Sequence, residues 1–351
     1  MGHRTITFVA ALVAALFSVF EASAAGILVE AENFRDKGGW SVDQQFMDCM
    51  GSPYLIAHGL GRPVGDAVTA IDVPVKGTWH VYVRTYNWTS PWTREEGPGR
   101  FTVKIGGRTL ENELGGYGDC WMWQYAGKLR LEAGETSLAL CDLTGFDGRC
   151  DAIYMTDDRR NVPPYGASEL ASFRRSLLDM PEPGTENYDF VVAGGGIAGM
   201  CAAVAAARNG LKVALVNDRP VLGGNNSSEV RVHLGGYVEI GPYEGLGRMI
   251  REFGHTRSGN AKPAEYYEDE RKQEFIDSEE GVTLYSNYRA VDVRMSGTSI
   301  AAVLIRHIET GEEHWLEAPL FSDCTGDGTV GYLAGAEYRM GRESRLSLIH
   351  K

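Results

Sequence analysis

The sequence predicts two folded parts in one chain: an antiparallel β-sandwich over residues 26–156 and an α/β domain with parallel strands over residues 188–345. Three observations predict it. Short strand-like runs recur between turn residues in the first part. An apolar run, spaced glycines and an alanine-rich helix follow one another at 188–210, and an apolar leader precedes both parts.

His3 and Arg4 precede fifteen largely apolar residues, Ile6 to Phe20, and Ala22-Ser23-Ala24-Ala25 then offers a small-residue cleavage site. A membrane span needs roughly 20 residues. The stretch therefore reads as a Sec-type signal peptide, residues 1–25, and the protein as secreted or periplasmic. No Arg-Arg pair signals the twin-arginine route, and no cysteine follows to carry a lipid anchor. The net charge of −13 argues against nucleic acid or an anionic membrane surface as partner, since both need clustered Lys and Arg. The 351-residue length leaves room for two domains of ordinary size.

In the first part, strands are expected at Ile27–Glu30, Tyr54–Ala57, Val68–Val73, Trp79–Tyr86, Phe101–Ile105, Trp121–Tyr125, Thr136–Cys141 and Ala152–Thr156. Six tryptophans fall here. Trp79 lies within the alternating run WHVYVRTY and reads as core, whereas Trp88 and Trp92 sit in the turn-rich NWTSPWTREEGPG and could stack on a sugar face or pack in the loop. None of the six cysteines forms C-x-x-C, which gives no support to an iron–sulfur cluster. In an oxidising compartment Cys141 and Cys150 could clip a hairpin over Glu135–Thr156. Cys49 with Cys120 is a further pairing. Cys201 and Cys324 read as small apolar fillers.

Residues 157–187 read as a linker with one short helix near Ser168–Leu178, flanked by prolines. Next comes a strand at 188–193. Gly194, Gly196 and Gly199 form G-x-G-x-x-G, and a helix over Ile197–Asn209 ends at Gly210. Gly194 permits the tight turn, Gly196 lets backbone approach a pyrophosphate, and Gly199 lets helix and sheet pack closely. A helix N-terminus, with unpaired N–H groups and the positive dipole end, then suits the diphosphate. The strand Lys212–Val216 ends at Asn217 and Asp218, where an acid usually takes the adenosine ribose. Helices are expected at Tyr243–Phe253 and Ala264–Ser278, a third strand at Val282–Ser286, and a β-meander at Ala290–Arg294, Ser299–Ile308 and Glu313–Glu317.

With this fingerprint, Leu222-Gly223-Gly224 within RPVLGGNNSSEVRVHLGG and Asp323-Cys324-Thr325-Gly326-Asp327-Gly328 near the chain end resemble the FAD-dependent oxidoreductase family of the glutathione-reductase-like flavoprotein superfamily. The resemblance implies FAD held by Gly194, Gly195, Gly196, Ile197, Ala198 and Gly199 at the diphosphate. It implies Asn217 and Asp218 at the ribose and Ala290 beside the adenine. Leu222, Gly223, Gly224, Thr325, Gly326 and Asp327 would lie toward the flavin. The opening LVEAENF and closing CDAIYMT resemble the ends of jelly-roll carbohydrate-binding modules and galactose-binding-like domains. There the implied feature is a structural calcium, here on Glu30, Glu32 and Asp151. These acids read equally well as solvated edge residues.

If Glu229 to Leu234 is extended, Glu229, Arg231 and His233 share one face; His233 is then the candidate acid/base and Arg231 the candidate partner of reduced-flavin charge. Family members continue past the second glycine cluster into a substrate domain, whereas 346–351 resembles neither that domain nor the family's last segment. A truncated chain is therefore expected. Two functions follow from the sequence: an exported FAD-dependent oxidoreductase acting on a small-molecule or glycan substrate, or a non-catalytic glycan-binding sandwich carrying a degenerate flavin fold.

Overall fold

The computed structural model describes residues 25–178, 180–236, 239, 241–242, 245–254 and 256–339, without the side chains of 48, 49, 167 and 168. All but the last residue of the expected leader, and all of the 346–351 tail, lie outside them.

All eight expected sandwich strands form, with ends shifted by a few residues: Gly26–Glu30, Tyr54–His58, Ala67–Val73, Gly77–Thr85, Phe101–Ile105, Met122–Leu131, Gly134–Asp142 and Phe146–Thr156. Two edge strands join them, Ser41–Asp43 and Arg108–Thr109, each too short to show alternation in sequence. Ser41–Asp43, Tyr54–His58, Phe146–Thr156, Gly77–Thr85 and Met122–Leu131 lie side by side in one sheet, with Gly26–Glu30 also on Phe146–Thr156. The second sheet runs Ala67–Val73, Gly134–Asp142, Phe101–Ile105, Arg108–Thr109. Between them lies one core of alternate side chains, including Leu55, Trp79, Phe101, Leu138, Leu140 and Ile153. Trp79 is fully buried, as expected.

The expected Cys141–Cys150 bridge is corrected, because both thiols are free. The strands carrying them do not form a hairpin. They belong to opposite sheets, so the chain at 143–145 crosses over the sandwich instead of turning back within one sheet. The Cys141 thiol donates to Asp66 Oδ2 at 3.2 Å, and burial followed by that carboxylate pushes its pKa up to about 11. Cys120 is also free, while the side chain of Cys49 lies outside the described residues.

In the second part, Phe190–Ala193, Val213–Asn217, Val282–Ser286 and Leu320–Asp323 make a parallel sheet. Both faces are covered, which is why these strands read as continuous apolar runs. Val192 and Leu215 pack with Met200, Ala203 and Val204 of the helix Ile197–Arg208. Val191, Ala193, Ala214 and Val216 face Val303, Ile305 and Leu316 of the meander, whose strands are Tyr288–Ser296, Ser299–His307 and Glu313–Glu317.

Two helix expectations change. Ala264–Ser278 is broken: a single 3₁₀ turn at Ala264–Tyr266 is separated from the helix Asp269–Asp277 by Glu268, whose φ of +46° is left-handed. Over Tyr243–Phe253 the described helix is Arg248–Phe253. Among the described residues, no helix is long and apolar enough to cross a membrane.

The two parts are tied together. The linker helix Ala167–Leu178 lays Leu170 against Tyr82, Trp123 and Tyr154 of the sandwich. Its Arg175 pairs with Glu313 of the meander at 2.8 Å. The linker then adds Gly184–Asn187, a strand the polar sequence GTEN does not announce, in parallel to Glu313–Glu317.

Candidate functional site

Each glycine of the fingerprint can be tested by what a Cβ would meet. At Gly194, with φ +108°, it would lie 2.2 Å from the carbonyl oxygen of Cys324, because the chain leaving Leu320–Asp323 crosses here. At Gly199 it would lie 1.8 Å from the Gly194 carbonyl oxygen, so helix and turn could not approach. At Gly195 it would strike the Asn217 side chain at 2.5 Å. Gly196 differs. A Cβ there meets nothing nearer than Gly224 Cα at 4.0 Å, and its φ of −70° suits any residue. Among the described residues, nothing requires glycine at 196.

Gly196 also stands at the N-cap of a 12-residue helix with no side-chain cap and no acid in its first turn. Its first N–H groups therefore have no side-chain cap, which suits a diphosphate. The Gly223-Gly224 turn closes over this point: Gly223 N–H donates to the Gly195 carbonyl at 2.9 Å, and Gly223 has φ +105°. Lys272 lies beneath it. Its side chain is fully buried against Gly223, its ammonium donates to the Tyr267 carbonyl, and Asp269 pairs with it at 3.2 Å. Burial lowers the Lys272 pKa, with Asp269 opposing.

A shallow pocket is lined by Gly194, Asp218, Arg289, Ala290, Thr325 and Asp327, among others, so segments far apart in sequence meet there. Asp323 braces the last of these by accepting from Thr325 N–H at 3.1 Å, Thr325 Oγ1 at 2.7 Å and Gly331 N–H at 3.0 Å. Asn217 and Asp218 divide their work. Asn217 is buried, and its amide donates to the Arg219 carbonyl at 2.8 Å and the Val221 carbonyl at 3.1 Å, holding the turn. Asp218 lines the pocket, 3.4 Å from Arg289 Nη1. Leu222 is buried under the helix with Val192 and Met200, and Ile197 packs against the same cluster. Ala198 stands in the first helical turn, while Gly326 has a left-handed φ of +84° in the open loop.

The extended stretch expected at Glu229–Leu234 is not a strand. Arg231 has φ +63°, which breaks the alternation, so Glu229, Arg231 and His233 do not share a face. Arg231 Nε turns back to the Ser228 carbonyl at 2.8 Å, and Glu229 pairs with Arg219 at 3.2 Å. His233 is exposed, with Nδ1 2.8 Å from Asn260 Oδ1.

The expected calcium is corrected as well. Glu30, Glu32 and Asp151 do converge, and all are buried. The guanidinium of Arg174, from the linker helix, fills their centre: Nε meets Glu30 Oε1 at 2.6 Å and Nη2 meets Asp151 Oδ2 at 3.0 Å. Arg84 holds Asp151 Oδ2 from the other side at 2.8 Å. Among the described residues no group of three His, Cys, Asp or Glu is disposed to hold a metal ion. Burial raises the pKa of Glu30, and raises that of Glu32 well above the usual range with Glu30 and Asp151 adding to it. Burial opposes the Arg174 charge, but Asp151 and Glu30 outweigh it and its pKa rises. The signal for this cluster was half visible, since Arg174 lies 144 positions from Glu30.

Of the loop aromatics, Trp88 donates Nε1 to the Phe146 carbonyl at 2.9 Å, while Trp92 packs edge-on to it and is 77% exposed.

Residues 189–349 match the family described as FAD dependent oxidoreductase. Comparison with curated proteins returns no match. Among solved structures, the C-terminal CBM6 of a marine laminarinase from Zobellia galactanivorans is 18% identical, with TM-score 0.28, over 38% of this chain and 99% of that module. A myxobacterial chondrochloren halogenase, an FAD-dependent halogenase, is 18% identical with TM-score 0.28 over 40% of this chain and 37% of its own. A geranylgeranyl bacteriochlorophyll reductase-like protein from Thermoplasma acidophilum is 22% identical with TM-score 0.29 over 44% of this chain and 43% of its own. The chain thus spans less than half the length of these two larger proteins.

Proposed function

With the C-terminal region matched to the FAD dependent oxidoreductase family, we propose that this protein is an exported FAD-dependent oxidoreductase whose substrate is carbohydrate-related. The observation that carries the flavin reading is Gly196: a helix start without a side-chain cap, a position without a side chain, and, among the described residues, no atom within 4 Å of a Cβ there except Gly224 Cα at 4.0 Å. The family implies FAD, and FAD supplies hydride or electron transfer when bound. The protein's own groups bind and orient. The N–H groups of Gly195 to Gly199 receive the diphosphate, Asp218 takes the ribose, and the backbone at Ala290 faces the adenine. The Gly223-Gly224 turn, braced by Lys272, and the Thr325-Gly326-Asp327 loop border the path toward the ring. His233, oriented by Asn260, is the proposed proton acceptor or donor, and Arg231 the proposed nearby positive charge.

The glycan part of the reading rests on Trp92. An indole exposed to that degree, propped by a second indole at 6.2 Å, offers an apolar face to a sugar ring. Export rests on the leader at residues 1–25.

The test is to purify the chain aerobically, record its flavin absorbance, and follow anaerobic bleaching with sugars, sugar alcohols and unrelated alcohols. Bleaching by sugars supports the proposal. A colourless chain that is retained on polysaccharide supports the non-catalytic glycan-binding alternative, and bleaching by unrelated alcohols alone removes the carbohydrate assignment.

A further inference from the structure

The adenosine end of the nucleotide site receives one contact from outside the α/β domain. Gln44 follows the edge strand Ser41–Asp43 of the sandwich, and its Nε2 donates to the backbone carbonyl of Asp218 at 2.6 Å, across 174 positions of sequence. Its other amide atom, Oε1, is buried and has no hydrogen-bond partner among the described residues. A buried amide oxygen left without a donor is destabilising, so the position of Gln44 beside a ligand-lining residue needs a reason.

The local structure makes Gln44 a fixed feature. The Gln45 N–H donates to Asp43 Oδ1 at 2.8 Å, and the Met47 N–H to the Gln44 carbonyl at 3.1 Å, which closes a turn at this point. Phe46 anchors the turn among Tyr54, Tyr86 and Trp121, with ring centroids 5.5–5.9 Å apart. On the receiving side, Asp218 is the residue directly after the second parallel strand, and its carboxylate lines the pocket with Arg289 and Ala290. Nothing else in the α/β domain donates a hydrogen bond to that Asp218 carbonyl among the bonds described.

We propose that the nucleotide site is completed across the domain boundary: Gln44 of the sandwich is a positioning residue that fixes the Asp218 peptide, and through it the carboxylate that takes the adenosine ribose. The inference rests on the flavin reading above. It makes the sandwich a working part of the cofactor site as well as a module beside it. Because the contact lies at the adenosine end, its loss weakens ligands that carry adenosine and spares those that do not.

The experiment uses the full chain and measures dissociation constants for FAD, ADP and FMN, together with Tm, for the parent, Gln44→Ala and Gln44→Glu. FMN lacks the adenosine and serves as the internal control. The expected result is a weakening of FAD and ADP by roughly five- to tenfold in Gln44→Ala, the scale of one hydrogen bond and the order it imposes, with FMN affinity unchanged. Gln44→Glu, which cannot donate to the carbonyl, weakens them at least as much. Unchanged FAD and ADP affinity in Gln44→Ala overturns the inference. So does an equal weakening of all three ligands with a lowered Tm, which marks a merely structural contact. A parent that binds neither FAD nor ADP overturns the flavin reading itself and the inference with it.

Discussion

Two clusters, one in each half, handle charge in opposite ways. In the sandwich, Glu30, Glu32 and Asp151 are buried together; guanidiniums from Arg174 and Arg84 pair with Glu30 and Asp151, while Glu32 Oε2 has no hydrogen-bond partner among the described residues. In the α/β half, the helix start at Gly196 presents N–H groups with no side-chain cap and no acidic residue in the first turn. The first is a cluster whose Glu30 and Asp151 are paired within the chain. The second presents N–H donors without a side-chain cap, where the proposed diphosphate would bind. Burial alone does not distinguish a ligand site from a structural one; what the chain supplies to satisfy the buried groups does.

The largest effect that separates the two is expected from Arg174→Met. It leaves Glu30 and Asp151 without their shared partner in a buried site, which costs about 3–5 kcal/mol. The sandwich should therefore unfold at a markedly lower temperature in calorimetry. Retention of the parental Tm would mean that another cation serves the acids, and would reopen the calcium expectation.

A smaller effect is expected from Glu32→Gln, and its pH dependence carries the argument. The folded-state pKa of Glu32 is raised, by burial first and then by Glu30 and Asp151. The folded chain thus holds a proton there that the unfolded chain releases above about pH 4.3. Its contribution is complete below that pH and is lost as pH rises toward the folded value. Replacing it by the neutral amide should raise stability at pH 7, read as a higher Tm, and change little at pH 4. A constant difference between the two pH values would contradict this.

The smallest change in stability is expected from Trp92→Ala. An exposed loop ring contributes within about 0.5 kcal/mol, so Tm should hold while retention on polysaccharide columns falls. Undiminished retention across a panel of polysaccharides would remove Trp92 from the glycan reading.

The two halves also differ in how much their sequence discloses. The glycine turn was legible because its parts are local. Strand, turn, helix and second strand follow within 188–217, and the roles of Gly194 and Gly199 hold when tested against the atoms they would strike. The sandwich strands were legible from alternation and turn spacing, but the crossing between sheets at 143–145 was not. A crossover and a hairpin turn look alike in sequence, and the Cys141–Cys150 bridge failed for that reason. Arg231 was misplaced because alternation of residue types in Glu229–Leu234 does not guarantee extended backbone; its left-handed φ breaks it. Arg174, Gln44 and Lys272 were out of reach of any local pattern, since what they do depends on partners that only folding brings near.

The central claim is that the space in front of Gly196 belongs to a diphosphate. Its most direct test is the FAD content of the purified full chain and of Gly196→Val, measured by fluorescence after heat release, with circular dichroism to confirm that both are folded. The parent should carry or take up FAD, and the valine, whose Cβ meets nothing nearer than Gly224 Cα at 4.0 Å but which would stand where the diphosphate is proposed, should reduce binding by at least about a hundredfold, the scale of losing a close-packed anion contact of roughly 3 kcal/mol. Equal flavin in the two proteins would contradict it.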